Sequence, residues 1–381
     1  MKKKVLFFIP SLEGGGAEKV MVNILRQADK SNIEPVLLLL YPFEHSPYRA
    51  LLPEYVRVIV AGRNSDSIVE KIKQGMHFFK TVYRVKPKAI VSMLTHCNIM
   101  AVLAGMVFGI RVVACEQNTL GEVIKAKEGR NILWIPVAPL VKIVYRFADK
   151  IIAVSEGVKI NLTDEFRIPA HMIEVIYNPI DIDRISELSR MPLEHPFFQG
   201  SAPVILAIGR LVRQKRFDLL IRAFREVLSE LDARLIIAGE GPERESLQRL
   251  AKDLGIGEKI SLVGFQANPY AFLSKADVFV LSSSYEGLPM VLLEALACGT
   301  PVISTDCKSG PREILDNGRC GLLVPEGDEG ALAEGIVRLV RDKALQEALS
   351  HLGKKRARDF SIDEVFKQYE RVIYQSAEKS A

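Results

Sequence analysis

The chain has 381 residues, 48% hydrophobic and 25% charged, which is enough for two globular domains and too apolar for a disordered chain. Aromatic residues make up only 7%, so a stacking surface for nucleic acid is not expected, and the five scattered cysteines contain no C-x-x-C pair, which points to a reduced compartment and no metal signature. The charge of +5 is uneven: residues 1–190 carry 26 basic and 19 acidic side chains, net +7, and the remainder is net −2. The front half is therefore the part suited to an anionic partner, with a solvated surface as the plainer account.

The opening MKKKVLFFIPSLEGGG has a basic start, but its apolar run of about six residues is short for a signal-peptide core and reads as a first strand. No window of roughly 18 apolar residues occurs, so no membrane-spanning helix is expected and the chain reads as cytoplasmic. After Val5–Ile9 and the turn Gly14-Gly15-Gly16 comes a helical pattern with Val20, Ile24 and Leu25 on one face. Short apolar strands follow, EPVLLLL, VRVIVAG, KAIVSML, RVVACEQ and KIIAVSE, separated by SIVEKIKQGMHFFKTVYRV, NIMAVLAGMVFG and a long piece from about Val123 to Ala148. Strands alternating with helices predict a parallel sheet covered on both faces.

Residues 191–200, MPLEHPFFQG, break the periodicity and read as a linker. A second alternating series then runs through APVILAIG, ARLIIAG, KISLVG, DVFVLSS, TPVIST and CGLLVP. The final helix SIDEVFKQYERVIYQSA puts Val365, Tyr369, Val372 and Ile373 on one face and has no evident strand partner in the second series, so it is expected to return to the first. The predicted architecture is α/β, with two tandem Rossmann-like doubly wound domains, 1–190 and 201–360, and the helix within 361–381 packing back.

Candidate chemistry lies at strand exits, where open α/β sheets bind ligands. Gly14–Gly16 hands a strand to a helix, which suits an anion or simply a tight turn. Arg210, Arg213, Lys215 and Arg216 follow the strand ending at Gly209; a diphosphate clamp explains four bases there, and a solvated helix start is the alternative. Gly239-Glu240-Gly241-Pro242-Glu243 reads chiefly as turn chemistry. Gly264-Phe265 offers an apolar face for a nucleobase, or a core contact. Glu286 and Glu294, in YEGLPMVLLEALACGT, supply carboxylates at a strand exit and on the following helix. Basic residues, a stacking wall and hydroxyl acceptors together match a nucleoside diphosphate carrying a hydroxyl-rich group.

GGGAEKV, GRL followed by a lysine, GEGPE, EGLPMVLLEALACGTPVIST and SGPREIL, in that order, resemble the retaining family-4 glycosyltransferases of the two-lobed GT-B type, over nearly the whole chain. Within that family FFIPSLEGGGAEKV and DCKSGPREIL look most like bacterial enzymes of surface-polysaccharide or lipid-linked oligosaccharide assembly. The resemblance implies two domains facing a cleft and a hexosyl transfer from a nucleotide sugar, with UDP-N-acetylhexosamine the expected donor and neither a cofactor nor a metal required. It implies that Arg210 and Lys215 neutralise the departing diphosphate, that Glu294 holds the ribose and Glu286 the transferred sugar. Backbone near Gly15, Gly16, Gly209, Gly287 and Leu288 would complete the cradle, with Phe265 against the base.

Where many members carry a histidine after RVVAC, this chain has Glu116-Gln117-Asn118. Glu116 is expected either to contact a sugar hydroxyl or the acceptor, or to support the strand exit; Asn118 and the rival His96 are acceptor-side candidates. Lys71, Lys73, Lys80, Arg84 and Lys86 beside Phe78, Phe79 and Val82, and Trp134 with Lys142 and Arg146, suit an anionic membrane surface or ordinary helices packed on a core. A lipid-diphosphate-linked glycan acceptor would make sense of the basic front half. A sugar-nucleotide epimerase of the same fold and a non-catalytic sugar-nucleotide-binding subunit are the competing readings.

Overall fold

The computed structural model of the chain describes residues 2–28, 32–44, 46–62, 67–127 and 137–378. These form two compact units, Met1–Pro179 with Ile362–Ala381, and Ile180–Ser361. Trp134 lies outside the described residues.

The first unit is built on seven strands, β1 Lys3–Ile9, β2 Ile33–Leu39, β3 Arg57–Val60, β4 Ala89–Met93, β5 Arg111–Glu116, β6 Lys150–Ala153 and β7 Ile173–Val175. Their spatial order is β3-β2-β1-β4-β5-β6-β7, all parallel, with Val5 beside both Pro35 and Ala89. Runs such as VLFFI form such strands because a parallel sheet is covered on both sides and every position can be apolar. Successive side chains point to opposite faces. Thus Phe8 stacks on Phe78, ring centroids 4.3 Å apart, while Phe7 shares a small cavity with Ile24 and Ile373.

Right-handed crossovers put helices on one face when the chain steps outward from β1 to β3, and on the other when it steps from β4 to β7. Helix Gly16–Gln27 accordingly meets the C-terminal helix Ile362–Glu378, which packs on β4 and β5 through Val365, Tyr369, Val372 and Ile373, all buried. On the opposite side Ile68–Val85, Thr95–Phe108 and Val137–Val144 pack in series. Phe78 and Val82, which the sequence leaves open between a membrane-facing pattern and core packing, are buried core residues.

The second unit has strands β8 Val204–Ile208, β9 Arg234–Ala238, β10 Ile260–Gly264, β11 Val278–Leu281, β12 Val302–Thr305 and β13 Leu322–Val324, in the order β10-β9-β8-β11-β12-β13. Helix Phe217–Glu230 buries Leu220, Phe224 and Val227 against this sheet. The unit begins at Ile180, well before the residue 201 expected from sequence. Ile180 donates its N–H to the Phe360 carbonyl at 2.9 Å, and helix Ile182–Ser189 packs on helices Tyr270–Lys275 and Met290–Cys298. Nor is 191–200 a bare linker. The His195 ring meets Phe197 and Phe272 edge-on, centroids 5.1 and 6.4 Å away, and its Nε2 is 3.1 Å from Ser261 Oγ. Two prolines end the periodicity there without ending the packing.

Tyr369 is fully buried, and its hydroxyl meets no hydrogen-bond partner among the described residues. Tyr369→Ala is expected to destabilise the first unit by about 3–5 kcal/mol, as large-to-small core changes do. Tyr369→Phe is expected to cost less than about 1 kcal/mol, since no hydrogen bond is lost. Denaturant melts of both variants followed by circular dichroism check this; equal losses would show that the hydroxyl, not the ring, anchors the helix.

Candidate active site

In each sheet the strand order reverses at a central pair, β1/β4 and β8/β11, and a crevice opens beyond the C-terminal ends of such a pair. At the second of these, Gly209 donates its N–H to Ala238 O at 3.0 Å and Leu211 to Glu240 O at 2.9 Å. This close backbone approach requires glycine opposite. A Cβ on Gly239 (φ +146°) would sit 1.9 Å from Gly209 O, and one on Gly241 (φ +158°) 2.5 Å from Leu211 O. The turn Gly239–Glu243 is thus a backrest for Gly209–Leu211.

The four bases that follow do different things. Arg213 Nε lies 3.7 Å from Glu243 and Arg216 Nε donates to Asp218 at 3.1 Å. Lys215 Nζ donates to Glu286 Oε1 at 2.5 Å, and Arg210 stands exposed at the exit of β8. The β11 exit is fastened to this turn by backbone as well: Ser284 N–H donates to Gln214 O at 2.9 Å, Gln214 Nε2 to Tyr285 O at 2.8 Å, and Ser282 Oγ to Lys215 O at 2.8 Å. Ser283 Oγ adds a 2.6 Å bond to Glu286 Oε1. Glu286 is 5% exposed.

Beyond Glu286, the buried Gly287 and Leu288 lead into helix Met290–Cys298. Gly310 (φ +93°) lets the SGPREIL segment press on them, since a Cβ there would come within 2.8 Å of Gly287 O. Glu294, on the second turn of that helix, is 5% exposed and neighbours Tyr270. Burial, then the charge of Glu294, raises the Tyr270 hydroxyl above its ordinary range. Phe265 is 53% exposed at the exit of β10, so its ring is a surface feature and not core packing. The largely buried Lys215–Glu286 contact, the exposed Arg210, an exposed ring and a second buried carboxylate therefore line the exits of a single sheet.

The first unit's switch point is organised differently. Glu18 accepts hydrogen bonds from Gly14 N–H at 2.7 Å, Gly15 N–H at 2.9 Å and Ser11 Oγ at 2.7 Å. The Gly15 amide expected to cradle a donor is therefore satisfied by the chain's own carboxylate, the N3 side chain reaching back to the N-cap amide, with Gly15 as N-cap and Gly16 as the first helical residue. The spacing of Glu18 three residues after Gly15 is the signal that would have found it. At the exit of β4, Leu94 takes φ +75°, an uncommon backbone for a branched residue, and His96 is exposed on the first turn of helix Thr95–Phe108.

Glu116 does not present its carboxylate outward. It is 1% exposed and accepts from Tyr145 OH at 2.7 Å and from Thr95 Oγ1 at 3.1 Å. Asn98 closes the knot, donating to Tyr145 OH at 3.2 Å and to Cys115 O at 3.0 Å while accepting from Ser92 at 2.8 Å. Of the two readings open for Glu116, contact with a sugar or acceptor and support of the strand exit, this burial and bonding fit the supporting one. Gln117 accepts from Asn178 Nδ2 at 3.1 Å, and Asn118 is half-buried just beyond. Asp181-Ile182-Asp183 has Asp-x-Asp spacing, but Asp181 caps a helix by accepting from Arg184 N–H at 3.0 Å. Among the described residues no group of three His, Cys, Asp or Glu could hold a metal.

Burial outweighs these hydrogen bonds and raises the Glu116 carboxyl to about 7 from an ordinary 4.5. Below pH 4.5 the folded and unfolded chains both hold its proton; between 4.5 and 7 only the folded chain does, so stability falls as pH rises, and above 7 the loss is constant. The full loss is about 3 kcal/mol. Glu116→Gln, which does not titrate, is expected to gain stability relative to wild type across that window. Melting temperatures of both proteins from acid to neutral pH read this directly; parallel curves would mean that Glu116 stays ionised when folded.

Residues 14–184 match the family described as Glycosyltransferase Family 4, and residues 194–356 the family Glycosyl transferases group 1. The chain is 30% identical over 369 residues to the N-acetylgalactosamine-N,N'-diacetylbacillosaminyl-diphospho-undecaprenol 4-alpha-N-acetylgalactosaminyltransferase of Campylobacter jejuni, covering 94% of this chain and 96% of that one. It is also 30% identical over 231 residues to the N-acetyl-alpha-D-glucosaminyl L-malate synthase of Bacillus anthracis, 60% of each chain. The Anabaena protein HepE, solved in complex with UDP and glucose, matches in fold with a TM-score of 0.82 at 20% identity, over 98% of this chain and 100% of that one. With both units matched and a relative aligned over nearly its full length, the chain belongs to the family-4 glycosyltransferases and has the two Rossmann-like units of the GT-B fold.

Proposed function

We propose that the protein is a retaining, metal-independent hexosyltransferase that moves an N-acetylhexosamine from a UDP-sugar to a lipid-linked or polysaccharide glycan, forming an α linkage on the cytoplasmic side of a membrane. The observation that carries this reading is the Lys215–Glu286 contact at the β8/β11 switch point, with Arg210 exposed beside it in sequence. A lysine has three N–H donors, and Glu286 Oε1 takes one, which leaves the ammonium able to bind phosphate oxygens as well.

In this reading Arg210 and Lys215 neutralise the diphosphate, whose negative charge grows as its bond to the sugar breaks. Charge stabilisation by fixed groups in a dry site is usually the largest catalytic term. Glu286, held by Ser283, accepts a hydroxyl of the transferred sugar, and Glu294 accepts the ribose hydroxyls. Phe265 stacks on the uracil, with the backbone of Gly209, Gly287 and Leu288 shaping the cradle. The acceptor oxygen attacks the anomeric carbon on the face the phosphate leaves, and its proton passes to the departing phosphate oxygen. No protein base is needed, which suits a site whose carboxylates are already engaged. His96 and Asn118 are the acceptor-side candidates of the first unit.

The Campylobacter jejuni relative is named for transfer to a diphospho-undecaprenol-linked sugar and the Anabaena neighbour holds UDP and glucose; both support, by likeness, a UDP-sugar donor and a lipid-diphosphate acceptor. The test is UDP release from a panel of UDP-sugars with lipid-diphosphate glycans. Lys215→Ala and Glu286→Ala are each expected to lower turnover by about 10²–10³-fold, the range for removing one charge-stabilising group, with the thermal stabilisation by UDP largely kept for Glu286→Ala. Turnover is expected to survive a chelator unchanged. Full activity in both variants would sink the site assignment, and interconversion of UDP-sugars without acceptor would favour an epimerase.

A further inference from the structure

Of the fifteen exposed large hydrophobic residues in the described chain, ten lie on three successive segments of the first unit. Helix Ile68–Val85 turns Val69, Ile72, Met76 and Tyr83 to solvent, a single stripe opposite the buried Phe78 and Val82. Helix Thr95–Phe108 carries no charged residue and exposes Leu103, Met106 and Val107, the last by 67%. Helix Val137–Val144 and the turn Tyr145–Phe147 expose Leu140, Ile143 and Phe147. Single exposed aliphatics mean nothing, but these three segments adjoin. The middle helix touches both others, and the Phe108 ring lies 6.3 Å from Phe79 and 6.2 Å from Tyr83.

The charge on this layer is one-sided. Across 68–86, 95–108 and 137–147 there are seven lysines and arginines and one acid, Glu70. A second copy of the chain would bring the same cationic face against itself, so self-association is disfavoured. A layer of anionic headgroups over hydrocarbon satisfies both features: cations are attracted to the surface and aliphatic tips enter the interface. No helix among the described residues is long and apolar enough to cross a membrane, so contact would be in the plane.

We infer that the exposed layer formed by Ile68–Val85, Thr95–Phe108 and Val137–Phe147 is a docking surface for an anionic lipid bilayer. It deepens the lipid-linked acceptor reading above by naming the surface on which such an acceptor would be reached, and it rests on that reading only there. It also relocates the apolar part of the pattern from the buried Phe78 and Val82 to residues that face outward.

The experiment is flotation of the full-length protein with phosphatidylglycerol-containing vesicles, with phosphatidylcholine vesicles and alone, at low and high salt, without donor or acceptor. Co-flotation is expected with the anionic vesicles at low salt and to weaken as salt rises. Lys80→Gln with Arg84→Gln is expected to weaken it about tenfold or more, at about 1 kcal/mol per base near the surface. The triple variant Met76→Asp, Val107→Asp, Ile143→Asp is expected to abolish it while keeping the wild-type melting temperature and the thermal shift by UDP. No flotation on anionic vesicles, flotation untouched by either variant, or light scattering that shows a variant-sensitive dimer in its place would overturn the inference. UDP release with a water-soluble acceptor separates the two readings. Release without flotation removes the docking surface alone, and flotation without release removes the proposed transfer alone.

Discussion

The contact between Lys215 and Glu286 joins two turns 71 residues apart at the second sheet's switch point. Its side chains are only 15% and 7% exposed. A pair so withdrawn from water is not a source of stability in itself, because desolvation offsets much of the attraction. What fixes it is the backbone on either side, where Ser284 N–H meets Gln214 O and Ser282 Oγ meets Lys215 O. The ammonium is therefore placed by main chain, not by a flexible search. A cation held in low dielectric acts on a neighbouring phosphate more strongly than one in water, and it needs no reorganisation when charge develops. Its partner matters equally: paired with Glu286 the local charge is near zero, which spares the unit an uncompensated buried cation.

The two switch points share a topology and differ in electrostatics. In the second unit, glycines at 239, 241 and 310 allow backbones to close on one another, so side chains of opposite sign face the crevice. In the first, Glu18 has taken the amides of Gly14 and Gly15, and Glu116 is folded into a knot with Tyr145, Thr95 and Asn98. An anion approaching the first unit's glycine turn would have to compete with a carboxylate already bonded there. The proposed diphosphate chemistry accordingly rests on the second unit's residues, and the acceptor-side candidates proposed above lie in the first.

Much of this was legible in the sequence for a simple reason. Parallel strands covered on both faces read as apolar runs, and a residue just past such a run stands at a strand exit, so Lys215 and Glu286 could be assigned to one sheet edge without coordinates, though not their direct contact. What escaped depends on distant partners. Whether Glu116 faces out or in is decided by Tyr145 and Thr95, 29 and 21 residues away, and the exit position is identical in both cases. Residues 191–200 carry linker composition, yet His195 and Phe198 find Phe272, each a contact no local pattern encodes. Helix Ile68–Val85 is apolar on both its inner and outer faces, so periodicity alone could not separate Phe78 from Met76.

The buried knot around Glu116 also fixes which way the segment around Tyr145 faces. Tyr145 is fully buried and is hydrogen-bonded to both Glu116 and Asn98. Its orientation is therefore set from inside the unit. On a helical backbone, residues two positions away lie roughly 200° round the axis. Ile143 and Phe147 sit two residues before and after Tyr145, and both are more than half exposed. Turning either of them inward would pull the Tyr145 hydroxyl off a carboxylate that burial has already made costly to ionise, and would leave Asn98 short of a partner. Their exposure is thus enforced by the polar interior and is not the slack of a loosely packed segment. The same Tyr145–Glu116 bond ties this layer to the strand exit that carries Gln117 and Asn118, the latter one of the acceptor-side candidates proposed for the first unit.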